Sequence, residues 1–394
     1  MRYNRPMEKS AVKKRGPAAM FALCPAAHIL AMAGAGVLAL FYALRHNRPL
    51  MQALSVRLVQ PLHHALARLT ARLPFSLAEW LYAAFLAGAS AYILTELALL
   101  LLCGERLKRL YRLLVRLAAL GLGVYALFCL LWGVYYYGDD FIARSGLEMG
   151  EVSAQDLERV TRWFAENLNV YGAAVPRDGD GLCRTDRAAV LARSPLVFRA
   201  AAEKFPCLAG PEVPAKAMFF SRVLSVMDFT GFFCPFTAEA NVNANFPEAL
   251  FAATVAHELS HQRGVAKEQE ANFVAVLASL ESGDADFAYS ACMLAYIHLG
   301  NALADVDPDA LRRIYSGLDP GVTADLLANN AYWAQFDTPV QTVTNGVYEG
   351  FLQSYEQTLG MRSYGACVDL LVHYYAADAR AYFDAQPPEV FPAR

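Results

Sequence analysis

The sequence predicts a mostly α-helical chain with a small β-sheet, in which three N-terminal transmembrane helices precede an extramembrane domain. Three observations predict it: long apolar runs confined to residues 19–137, apolar residues at helical spacing through most of the remainder, and one segment with strand-like composition. A hydrophobic fraction of 56% against 18% charged residues also lies outside the range of an ordinary soluble protein. The net charge is -3, and basic residues mix with aromatics only within residues 1–120, which argues against a nucleic-acid partner.

Residues 1–18 form a basic tail, and residues 19–137 form a membrane domain. Its first span, residues 19–44, has no Asp, Glu, Lys or Arg. At 1.5 Å per residue this run crosses a hydrocarbon core of about 30 Å. It is long for the apolar core of a cleaved signal peptide and lacks a convincing small-x-small cleavage site. Residues 80–103, interrupted only by Glu96, give a second span, and residues 117–137 a third, with Trp80, Trp132 and Tyr135 to Tyr137 at span ends as interfacial aromatics. Between the first two, residues 52–72 alternate Leu, Val and Ala with Arg and His, an amphipathic segment expected on the bilayer surface. His63 and His64 are read there as polar-face residues, because adjacent helical residues point in different directions.

Arg2, Arg5, Lys9, Lys13, Lys14 and Arg15, with Arg106, Lys108, Arg109, Arg112 and Arg116, outnumber Arg45, Arg48, Arg57, Arg68 and Arg72. The tail and the loop between spans two and three are therefore expected to face the cytoplasm, and the C-terminal domain to lie outside it, in a multi-pass membrane protein. The lipid bilayer is thus an expected partner.

Residues 140–394 suffice for one domain. Ser153, with Asp156 and Glu158 in the first turn, caps a helix over 153–170, and further helices are expected at 186–203, 247–263, 267–281, 286–303, 321–330, 345–359 and 365–379. The extended segment is 216–236, rich in Phe and Val and broken by Gly231 and Pro235. It could hold a peptide by edge pairing or be a core strand and turn with Asn241, Asn243 and Asn245 as turn formers. Cys183 and Cys207 offer a disulfide, with buried free thiols the equal alternative; no CxxC is present.

From Ala252 the chain reads AATVAHELSHQRGVAKEQEANFVAVLASL. On a helix, His257 and His261 share a face and can meet one Zn²⁺, while Glu258 reaches an activated water as general base. Gly264 marks the helix end. A catalytic zinc takes a third protein ligand, and Glu268, at the start of the next helix, is the first choice. Asn272, one turn on, would then orient a ligand histidine, whereas Glu270 points about 160° away from Asn272. Tyr348, Tyr355 and Tyr364 are candidate donors to the developing oxyanion, Tyr364 being the assigned one. His298 and His373 are expected to be core or surface residues.

The three spans, PFTAEANVN, AHELSHQRGVAKEQEANF and Ser363 to Gly365 (SYG) resemble the bacterial membrane-anchored family catalogued as domain of unknown function 3810. The resemblance implies a zincin-like metallopeptidase domain and names no substrate. The E-x-x-A-N spelling from Glu268 to Asn272 is similar to the glutamate helix of gluzincins such as CAAX-processing peptidases. Those families take the third ligand from the first Glu, and they more commonly carry Asp where this chain has Asn272. The expected activity is hydrolysis of a peptide or protein substrate; the alternative is a non-enzymatic membrane sensor or binding protein with a structural zinc. An intramembrane protease is disfavoured, because the motif's apolar run is too short to span and meets Arg263, Lys267 and Glu268.

Overall fold

The computed structural model describes residues 16–355 and 364–385. Over these residues the chain is mostly helical with one three-stranded sheet. It opens with α1 (Pro25–Leu44), α2 (Gln60–Thr70), α3 (Leu77–Leu102) and α4 (Arg106–Phe128). Two compact units result: one holds the chain up to Leu44 with Ala83–Leu130, the other Arg45–Tyr82 with the chain from Leu131 on.

In the first unit α1 packs along α4. His28 Nε2 meets the Tyr111 hydroxyl at 2.7 Å, and the Tyr42 and Tyr125 hydroxyls meet at 2.5 Å. Glu96, the lone acid of the second apolar run, lies 3.7 Å from Arg116, which also donates to Tyr92. A charge in an apolar helix is tolerated when paired in this way. Four described helices are long and apolar enough to cross a membrane: α1, α3, Arg106–Tyr136 and Ala285–Val306. The fourth, expected from the sequence as a helix of the extramembrane domain, has 72% of its apolar window buried, against at most 22% for the others.

In the second unit, α5 (Ala154–Gly172) starts at the expected cap, where Ser153 accepts from the Asp156 amide. Strand β1 (Lys216–Ala217) runs parallel to β3 (Glu239–Val242), and β2 (Gly231–Cys234) pairs antiparallel on the other side of β3. The extended segment 216–236 is therefore interrupted, by a short helix at Ser221–Val226. Asn241 is a strand residue and Asn243 ends the strand in a turn, its Oδ1 accepting from the Asn245 amide at 2.8 Å, and both are fully buried. The Asn241 amide donates to the Phe232 and Glu239 carbonyls, and that of Asn243 to the Ser225 hydroxyl and the Phe229 carbonyl. Local polar atoms thus satisfy side chains whose composition suggested a loop.

The core is built from α6 (Phe251–Gln262), α7 (Glu268–Glu281) and α8 (Ala285–Val306), which pack on one another. Phe251, Val255, Leu259, Phe273, Leu277 and Phe287 are fully buried there. Each such side chain contributes about 1.5–3 kcal/mol. The chain closes with α9 (Pro339–Ser354) and α10 (Tyr364–Asp384), and the expected end of the helix 345–359 falls partly outside the described residues. The helix expected over 186–203 breaks around Pro195 into Arg187–Arg193 and Arg199–Lys204, since proline cannot donate to the ladder. All eight cysteines are free, so the Cys183–Cys207 disulfide does not form.

Residues 45–82 pack within this unit with a polarity opposite to a water-facing helix. Gln60, His63 and Thr70 are buried and bond the Arg263, Pro235 and Thr237 carbonyls, while Val56, Leu58, Leu62 and Leu69 are exposed. His63 is thus a core residue rather than a polar-face one. Further along, the Glu239 carboxylate accepts from Leu77 and Ala78 at the start of α3 and pairs with the buried Lys216 at 2.6 Å. Lys216 also donates to the Thr70 and Phe75 carbonyls.

Candidate metal centre

Helix α6 presents His257 and His261 on one face, and the chain turns back at once. Gly264, at φ +78°, ends the helix, its amide bonding the His261 carbonyl. A left-handed residue after a helix is commonly glycine. Any side chain here would also meet the Tyr135 ring at 2.7 Å. The turn brings the Val265 carbonyl onto His261 Nδ1 at 2.7 Å. A carbonyl only accepts, so Nδ1 carries the proton and Nε2 keeps its lone pair for a ligand. The contact expected from Asn272 is made by this carbonyl instead; among the described residues the Asn272 side chain makes no hydrogen bond.

The same turn starts α7 at Glu268, whose Oε2 lies 3.2 Å from His257 Nε2 and 3.6 Å from His261 Nε2, the two imidazole nitrogens being 3.1 Å apart. Donors about 2.0–2.1 Å from a tetrahedral zinc are about 3.3 Å from one another. The triangle thus has the edges that a single small divalent ion needs, and the donor set, two imidazoles and a carboxylate, suits zinc. Glu270 is elsewhere: it is buried and accepts from the Phe141 amide at 2.8 Å.

The electrostatics agree with this reading. Burial works against the charged imidazolium of His261, but the Glu268 carboxylate outweighs it and raises the group to about 9. Burial likewise opposes ionisation of Glu268, yet the two histidines hold it well below the usual carboxylate range. The pocket favours positive charge at the point where the three donors meet.

Glu258 is 3% exposed, and its Oε2 has no hydrogen-bond partner. Burial pushes its carboxyl up to about 7, against the pull of His257 and His261. An unpartnered buried carboxylate oxygen is costly and calls for a ligand or water. Strand β2 closes over it: a Cβ on Gly231 would stand 2.6 Å from Glu258 Oε1. The sequence reading treated Gly231 only as a strand break, although glycine inside a strand also signals close approach.

Of the three candidate tyrosines, Tyr348 on α9 reaches the cluster, donating to Glu268 Oε1 at 2.7 Å. Tyr355 is buried against the Tyr136 ring at 5.0 Å. Tyr364 begins α10, and its side chain lies outside the described residues. Trp132 stands edge-on to His261 at 5.7 Å and donates to the Tyr136 hydroxyl. Trp132 and Tyr136 read as interfacial aromatics in the sequence; their spacing of one helical turn was the available signal that they share a face. His298 is buried on α8 and His373 is exposed.

A family model described as protein of unknown function (DUF3810) matches residues 55–372. No curated protein and no solved structure matches the chain.

Proposed function

Because the chain belongs to the DUF3810 family, whose description assigns no activity, its function is read from its own residues, and we propose that it is a membrane-anchored zinc metallopeptidase. The observation that carries this reading is the convergence of His257, His261 and Glu268 at the edge lengths of a tetrahedral ion, beside the unpartnered carboxylate oxygen of Glu258. When bound, the ion supplies Lewis acidity, polarising a carbonyl and acidifying water. The chain's residues do the rest. Glu258 takes the proton of the attacking water at its free oxygen and returns it to the leaving amine. The edge of β2 not paired with β3 holds an extended peptide beside Gly231, where the lack of a side chain lets the peptide and Glu258 approach. Tyr348, already donating to Glu268, fixes that ligand.

In this proposal α1, α3 and Arg106–Tyr136 cross the membrane, their basic flanks face the cytoplasm, and the zincin-like domain works outside it. The test is metal analysis of the purified full chain together with hydrolysis of a peptide library. One equivalent of zinc and cleavage that Glu258→Gln abolishes without loss of zinc are expected. Equal cleavage by wild type and variant would remove Glu258 from its role, and a metal-free chain would remove the hydrolase reading.

A further inference from the structure

The second unit carries a rigid apolar tip that the metal centre does not use. Phe219, between β1 and the helix Ser221–Val226, is 77% exposed, and Val223 within that helix is 55% exposed. Phe219 and Phe220 pack on Trp80, in the first turn of α3, with ring centroids 6.4 Å and 5.8 Å apart, and Phe75 is exposed beside them. Phe75, Trp80 and Phe219 line an open groove with Pro74 and Ser76. The tip is held outward. The Glu79 carboxylate accepts from the Phe219 amide at 3.0 Å and the Phe220 amide at 2.5 Å, and the Met218 amide bonds the Val242 carbonyl of β3.

A cluster of fixed, solvent-facing aromatics is costly in water and marks a surface that meets something apolar. Two observations identify the occupant. Trp80 opens the uncharged stretch of α3, at the level where amphipathic rings sit in the headgroup layer of a bilayer. In the segment leading to α3, the hydrogen-bonding side chains of Gln60, His63 and Thr70 point inward, while Val56, Leu58, Leu62 and Leu69 are exposed beside the exposed Arg57, Arg68 and Arg72. Apolar side chains interleaved with arginines on the outer face suit a helix lying at the bilayer surface.

We propose that Phe219, Phe220 and Val223, stacked on Trp80 at the start of α3, form a second membrane contact that inserts into the interfacial layer of the lipid bilayer. This rests on α3 being a membrane span. Insertion holds the β-sheet, and with it the edge of β2, at the membrane surface.

The test uses the full chain reconstituted in phosphatidylcholine vesicles, with Cys103 and Cys207, the two incompletely buried thiols, changed to serine. An environment-sensitive fluorophore is attached at Val223→Cys, at Leu94→Cys within α3, or at Val170→Cys on α5, and phospholipids carrying a quencher high on the acyl chain are introduced. The expected result is quenching at 223 several-fold stronger than at 170, with a blue-shifted emission. Quenching at 94 with none at 223 overturns the inference while leaving α3 in the membrane, and no quenching at 94 overturns the membrane reading itself. Emission at 223 that shifts with protein-to-lipid ratio but ignores the quencher assigns the tip to a second copy and also overturns it. Phe219→Glu with Phe220→Glu provides a second measurement: quenching at 223 should be lost while zinc content is unchanged.

Discussion

Glu258 stands between two constraints, the neighbouring His257 on its own helix and the bare backbone of Gly231 above it. Under the proposed function, Glu258→Gln keeps the shape and removes the base, so the turnover rate should fall by about 10²–10⁴ with zinc retained, measured by peptide cleavage and metal analysis. Gly231→Ala puts a methyl group within reach of the same carboxylate, and should likewise lower turnover while leaving metal affinity nearly intact. Tyr348→Phe removes one hydrogen bond from a ligand and should weaken zinc binding by roughly 10–100-fold, read by competition with a chromophoric chelator. These residues differ in how far the sequence discloses them. The histidine pair and Glu258 sit in a motif whose helical period fixes their common face. The place of Gly231 depends on a strand folding over a helix, and that of Tyr348 on a helix from much later in the chain. Such long-range juxtapositions leave no periodic mark.

Among the elements, α2 owes its place to buried polar side chains, and His63 shows what this implies for acid stability. Its ring is buried against the Tyr135 and Phe233 rings, beside His64, and bonds the Pro235 carbonyl. Burial lowers its pKa from 6.5 to about 4. The unfolded chain therefore takes up a proton between those values while the folded chain does not. The His63 contribution is complete above pH 6.5, declines by about 1.4 kcal/mol per pH unit below it, and is spent near pH 4. His64, lowered likewise from 6.5 to about 4, adds to this decline, so thermal melts of the detergent-solubilised chain should show it and His63→Asn should make it shallower. The sheet offers a second check. Glu239→Gln leaves Lys216 buried and unpaired and should cost about 3–5 kcal/mol, seen as a lowered melting temperature. The helices of this unit were largely legible from capping residues and apolar spacing, as at Ser153. Strand β3 was not, because Glu239 and Asn241 carry the composition of a turn and become strand residues only through partners at Lys216 and Ser76.

For the molecule as a whole, the long apolar helices were legible in outline, since hydropathy needs no partner. Ala285–Val306 shows the limit of that signal, for an apolar helix can be clothed by protein as well as by lipid. Zinc that binds only the folded chain should raise its stability by about 2.7 kcal/mol at a hundredfold excess over the dissociation constant. Chelator should thus lower the melting temperature and added zinc restore it, with no such response in His261→Ala.

The tight reversal at Gly264 has one more consequence, for the order in which the centre is made. His257, His261 and Glu268 leave the ribosome almost together, on two helices that contact each other directly. Helix α9, with the tyrosine that bonds Glu268, is synthesised long afterwards. The nascent chain therefore holds these three side chains before it holds their cover, and under the proposed function the ion could enter before the C-terminal part is made.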